Sequence, residues 1–114
     1  DLSFVLETDN DVIKWMRPAP NQFRMYWDNN SKKYEPDFVV ETNHGIYMIE
    51  TKAENELKNN DVIQKMEAAI KYCILASEFT SHNNGKPWKY LLLPHTLVSR
   101  TISFKYLIAN NKNQ

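Results

Sequence analysis

The chain has 114 residues, 42% hydrophobic and 25% charged, with 14 basic and 14 acidic side chains and so no formal net charge at neutral pH. That length suits one domain around a single core, and the composition excludes disordered, collagen-like and low-complexity chains. No apolar run approaches the roughly 20 residues of a membrane span, no basic-then-apolar leader opens the sequence, and the single cysteine, Cys73, has no internal disulfide partner, which points to a reducing, cytoplasmic setting.

Leu2-Ser3-Phe4-Val5-Leu6-Glu7 reads as the last turns of a helix whose start has been cut away, ended by Thr8-Asp9-Asn10-Asp11. Val12–Met16 then runs to Arg17-Pro18-Ala19-Pro20, where two prolines stop any regular element. Phe23-Arg24-Met25-Tyr26-Trp27 is rich in aromatics and reads as a strand, closed by the turn-forming Asp28-Asn29-Asn30-Ser31. Residues 34–42 and 46–52 are strand-like, and Asn43-His44-Gly45 between them is a hairpin signal. Farther on the period changes. Val62, Ile63, Met66, Ala69, Ile70, Cys73 and Ile74 recur at intervals of three and four, predicting an amphipathic helix over 60–79 with Asn60 as its N-cap and Asn83-Asn84-Gly85-Lys86-Pro87 beyond its end. Trp88-Lys89-Tyr90-Leu91-Leu92-Leu93, closed by Pro94, has the continuous apolar character of a strand covered on both faces. Residues 95–109 carry Leu97, Val98, Thr101, Phe104, Leu107 and Ile108 at helical spacing. The predicted order is helix remnant, three strands, helix, strand, helix: one α/β domain over 1–114.

The neutral total conceals a gradient. Residues 1–57 hold 11 acids against six bases, and residues 58–114 hold eight bases against three acids. An acidic half beside a basic half suggests a site that gathers carboxylates near a surface that attracts anions, chance being the competing reading in so short a chain.

The hairpin carries charges that a purely structural sheet does not need, because an unpaired buried charge is expensive. A two-residue loop at Asn43-His44 sets Thr42 against Gly45, Val40 against Tyr47, Phe38 against Ile49 and Asp37 against Glu50. Phe38, Val40, Tyr47 and Ile49 then share a core face, and Asp37, Glu50 and Lys52 share the other. A loop one residue longer makes Asp37 and Glu50 diagonal neighbours, still within reach of one ion. Two facing carboxylates repel, and a hard dication such as Mg²⁺ relieves that repulsion while keeping waters and substrate phosphate oxygens in its shell. A lysine beside the ion can orient or deprotonate water or stabilise a phosphorane-like transition state. The competing reading is a set of cross-strand salt bridges on a solvated face. Lys32 and Lys33, beside the hairpin, are placed for a backbone phosphate or form an ordinary surface turn.

Pro36-Asp37, followed after twelve residues by Glu50-Thr51-Lys52, resembles the PD-(D/E)XK signature of restriction-endonuclease-like nucleases. Tyr34-Glu35-Pro36-Asp37-Phe38-Val39-Val40, Tyr47-Met48-Ile49-Glu50-Thr51-Lys52-Ala53, Lys65, Ala68-Ala69 and Trp88-Lys89-Tyr90-Leu91-Leu92 are similar to the C-terminal endonuclease domain of the Res subunits of type III restriction enzymes. The resemblance implies a restriction-endonuclease-like αβββαβ core, a central mixed sheet flanked by helices. It implies that Asp37, Glu50 and the main-chain carbonyl of Thr51 hold Mg²⁺ and that Lys52 is the catalytic lysine. Asp1, or Glu7 in its place, stands where such domains often carry a supporting acid, and Lys65 where they often carry a basic residue toward phosphate. The implied activity is Mg²⁺-dependent hydrolysis of DNA phosphodiester bonds. The implied partners are DNA, the motor portion of a longer helicase-nuclease polypeptide and a modification methyltransferase. ATP would act only through that motor, because this chain has no Walker A sequence. Two other readings stand beside it: a non-catalytic docking domain with the same fold, and a same-fold nuclease acting on RNA or repair intermediates.

Overall fold

The computed structural model describes residues 1–20, 22, 25–27 and 32–113. In chain order they form α1 (Leu2–Thr8), β1 (Val12–Met16), β2 (Met25–Trp27), β3 (Lys32–Tyr34), β4 (Phe38–Thr42), β5 (Ile46–Lys52), a 3₁₀ turn (Glu54–Glu56), α2 (Asn60–Ser81), β6 (Trp88–Pro94), a second 3₁₀ turn (His95–Leu97) and α3 (Phe104–Ala109). Four strands make a mixed open sheet in the order β1-β4-β5-β6, and β2 and β3 pair separately. β4 is antiparallel to both β1 and β5, while β5 and β6 are parallel and joined through α2.

The β4–β5 register is Phe38 with Ile49, Val39 with Met48, Val40 with Tyr47 and Glu41 with Ile46, the pairing that a two-residue loop dictates. Thr42 N–H donates to Gly45 O (2.9 Å), and the Thr42 hydroxyl accepts from His44 N–H (3.1 Å), which holds the turn. Gly45 permits close approach: a Cβ there would lie 3.1 Å from Pro87 O, the carbonyl that receives Ile46 N–H at 2.8 Å to start the β5–β6 ladder.

Alternation sends each strand's apolar side chains to both faces, and both are covered. Phe38, Val40, Ile49, Leu91 and Leu93 pack under α1 and α3, where Val5, Leu6, Phe104 and Leu107 meet them. Met48, Tyr90 and Leu92 pack on the other face against Val62, Ala69 and Cys73 of α2, together with Met25 and Tyr34 of the small hairpin. The face assigned to Asp37, Glu50 and Lys52 is therefore also a core face along most of its length. Fully burying each large aliphatic or aromatic side chain contributes about 1.5–3 kcal/mol.

Four expectations need correction. Val12–Met16 is a strand, and with 34–42 divided in two this gives five strands before the long helix rather than three. Its alternation is interrupted by a bulge at Ile13, since Val12 pairs with Thr42 and Lys14 with Glu41. Residues 34–42 are not one strand, because Pro36 has no amide to donate and separates β3 from β4. The helix expected over 95–109 is confined to a 3₁₀ turn and α3, which starts where the Ser103 hydroxyl accepts Tyr106 N–H (3.1 Å). The long helix spans Asn60–Ser81, and its N-cap is Asn59, whose side chain accepts Asp61 N–H at 2.8 Å, rather than Asn60. Beyond it, Asn84 takes the left-handed conformation (φ 57°) and Gly85 N–H returns to Thr80 O at 2.7 Å. Of the aromatic strand expected over 23–27, Met25–Trp27 is present, whereas Phe23, Arg24 and the turn at 28–31 lie outside the described residues. No helix among the described residues is long and apolar enough to cross a membrane.

Candidate active site

The ends of β4 and β5 bring the expected residues together. Asp37 immediately precedes β4, and its N–H still reaches Ile49 O at 2.9 Å. Its carboxylate turns across the end of β5, where Oδ2 accepts both Thr51 N–H (3.0 Å) and the Thr51 hydroxyl (3.1 Å). Asp37 is exposed, whereas Glu50 is buried, with 6% of its surface accessible. The two carboxyls lie close enough to share a hydrogen bond, which favours a proton on Glu50. Asp37 is thus not confined to the α2 face: it lies at the sheet's end, where Thr51 from one face and Glu50 from the other both reach it.

Burial above all, and then the bond to Asp37 and its negative charge, push the Glu50 carboxyl up to about 8, against the opposing hydrogen bond from Tyr34 and charge of Lys52. Tyr34 and Tyr90 are buried behind Glu50, with their hydroxyls 3.3 Å apart. Burial raises the pKa of both phenols, so they remain neutral hydrogen-bonding groups. This tyrosine pair escaped the sequence reading, in which Tyr90 was simply part of an apolar strand. The one available signal was the position of Tyr34 three residues before Asp37.

Lys52 ends β5, half-buried and level with Pro94 of β6. Thr51 N–H points toward Asp37, and because the N–H and C=O of a strand residue face the same side, the Thr51 carbonyl turns that way too. Lys65 of α2 approaches the Tyr34 ring, 5.9 Å from its centre, placing a cation behind Glu50. Asp1 lines a cavity with Asp37 and Thr51, but its carboxylate is engaged by Arg100 at 3.3 Å. Glu7 accepts from Trp15 Nε1 at 2.9 Å and does not line that cavity. The backbones of Lys32 and Lys33 belong to β3, and their side chains lie outside the described part of the structure.

Among the described residues no three His, Cys, Asp or Glu side chains gather. A cation here would have two carboxylates, a main-chain carbonyl and otherwise water or substrate oxygens, the all-oxygen, partly hydrated donor set that Mg²⁺ accepts. Two touching carboxyls, one of them buried, fit such an ion: either a shared proton or a cation must offset their repulsion. Away from the site, Cys73 is buried against Met48, its Sγ 3.6 Å from Sδ, and burial pushes its thiol up to about 12, so it behaves as a small core hydrophobe. Comparison with known proteins finds no matching family model, no matching curated protein and no matching solved structure.

Proposed function

We propose that the chain is a Mg²⁺-dependent endodeoxyribonuclease domain of the PD-(D/E)XK type, akin to that of type III restriction enzymes. The observation that carries this reading is the contact between buried Glu50 and exposed Asp37 at the open end of the sheet, with Lys52 two residues farther along β5. The architecture supports it: with the small β2–β3 hairpin set aside, the order α1-β1-β4-β5-α2-β6 and the mixed sheet between helices agree with the αβββαβ pattern that the resemblance implies.

Asp37, Glu50 and the Thr51 carbonyl would hold the ion, which supplies Lewis-acid charge and lowers the pKa of a bound water. The chain's own groups prepare that site. Thr51 fixes one Asp37 oxygen with two hydrogen bonds and so holds the carboxylate against Glu50. Tyr34 fixes the Glu50 carboxyl from behind, and burial keeps bulk water from that side. Lys52 brings positive charge to the place where charge builds on the phosphate oxygens, and its amine can exchange a proton with the attacking water. Translocation by an ATP-driven motor and modification by a methyltransferase would, on this reading, come from other polypeptide.

Supercoiled plasmid incubated with the purified chain and Mg²⁺ should be nicked or linearised. EDTA should stop the reaction, and Lys52→Ala should lower its rate at least 100-fold, the lower end of typical general acid–base contributions. Nicking unchanged by Lys52→Ala would remove the assignment. A structured RNA in parallel separates DNA from RNA hydrolysis.

A further inference from the structure

Beside the Asp37–Glu50 pair lies a cavity of about 470 Å³, lined by Arg17, Asp37, Phe38, Thr51, His95 and the start of α1. Its position follows from the topology. β1 is antiparallel to β4, β4 is antiparallel to β5, and β5 is parallel to β6, so the C-terminal ends of β1, β5 and β6 meet the N-terminal end of β4. Arg17 directly follows β1, Thr51 lies in the last turn of the β5 ladder, His95 directly follows β6 and Asp37 directly precedes β4. Ligand crevices in α/β sheets form outside the carboxyl ends of strands.

The charges around the cavity are unequal in availability. Asp1 is taken up by Arg100, and one Asp37 oxygen by Thr51. Arg17 is exposed, its guanidinium resting over the Phe38 ring 4.7 Å from the centre. That contact anchors the guanidinium beside the cavity that Arg17 lines, and a guanidinium carries N–H donors that match a phosphate bidentately. His95 is exposed across the cavity and can donate a ring N–H in either protonation state.

We infer that this cavity seats a backbone phosphate of the nucleic-acid strand next to the one being cut, with Arg17 as its main contact and His95 as a second donor. The choice of nucleic acid as the source of the phosphate rests on the nuclease reading. The seat positions the strand so that the neighbouring phosphodiester lies against Asp37 and Glu50, and neither Arg17 nor His95 takes part in bond cleavage.

The test is binding of a fluorescein-labelled DNA duplex by the full chain in EDTA, measured by anisotropy over a series of salt concentrations. Arg17→Ala should weaken binding roughly three- to tenfold and reduce the slope of log affinity against log salt by about one phosphate contact, while Arg17→Lys keeps the slope. His95→Ala should weaken binding less, and Lys71→Ala, on the outer face of α2, should leave it unchanged. An unaltered affinity and slope in Arg17→Ala, or no binding by the unaltered chain at low salt, overturns the proposal. A purely structural role for Arg17 would shift the melting temperature without moving the slope. Arg17-dependent binding without Lys52-dependent cleavage would remove the nuclease reading and leave the phosphate seat; Lys52-dependent cleavage with binding indifferent to Arg17 would remove the seat alone.

Discussion

Glu50 sits in an environment that disfavours its charged form, and this has a measurable consequence for the metal-free protein. Its ordinary pKa of 4.5 is raised to about 8 by burial and by Asp37. A carboxyl whose folded pKa exceeds its unfolded value favours folding fully below the unfolded value, and the advantage is lost as pH rises through the folded one. In EDTA the melting temperature should therefore fall between about pH 4.5 and about pH 8. Glu50→Gln, which keeps the shape and a hydrogen-bonding group without the charge, should flatten that fall. A melting profile of the same slope in Glu50→Gln would show that other groups produce it. The residues visible in the sequence, Asp37, Glu50 and Lys52, were legible because a two-residue hairpin turn fixes which side chains oppose. Tyr34 and Tyr90 were not, since 56 residues separate them and only the packing of the β2–β3 hairpin against β6 brings their hydroxyls together.

At the scale of elements, local chemistry decides boundaries that periodicity leaves open. Asn59 and Asn60 are equivalent by composition, but Asn59 has the extended backbone (φ −63°, ψ 135°) from which its side chain reaches Asp61 N–H. Asn59→Ala should cost about 1 kcal/mol in urea unfolding, the usual value of an N-cap, whereas Asn60→Ala should be close to neutral or slightly stabilising. The reverse ranking would place the cap at Asn60. The strand β1 was hidden for a related reason: the bulge at Ile13 breaks the two-residue alternation that would have revealed it, and its pairing partner lies 25 residues away at Val40, opposite Trp15. β6 was plain in the sequence because burial on both faces makes it continuously apolar. Across the sheet, Lys86 joins the start of β6 to β4, its Nζ 2.6 Å from Glu41 and 2.9 Å from Thr42 O. The hydrogen bond and charge of Lys86 hold the Glu41 carboxyl below its ordinary value.

For the whole molecule, the absence of net charge takes on a different meaning once the acids are placed. Asp37 and Glu50 meet at one end of the sheet, while Glu41 is paired with Lys14 and Lys86 and Asp1 with Arg100. Within the acidic half, Asp1 and Glu41 are thus ion-paired, whereas at the sheet end two carboxyls face one another. A dication bound there would reverse the local sign next to Arg17 and His95, giving a neutral protein an anion-attracting mouth. A domain of this kind would bind DNA weakly by itself, because few phosphates are neutralised away from the site. If Asp37 and Glu50 share one ion, calorimetric titration of Mg²⁺ or Mn²⁺ into the chain at about pH 8 detects it without reference to activity. One ion should bind per chain, and Asp37→Asn and Glu50→Gln should each abolish the binding while the fold is retained. No binding by the unaltered chain, or binding undiminished in both variants, would contradict it.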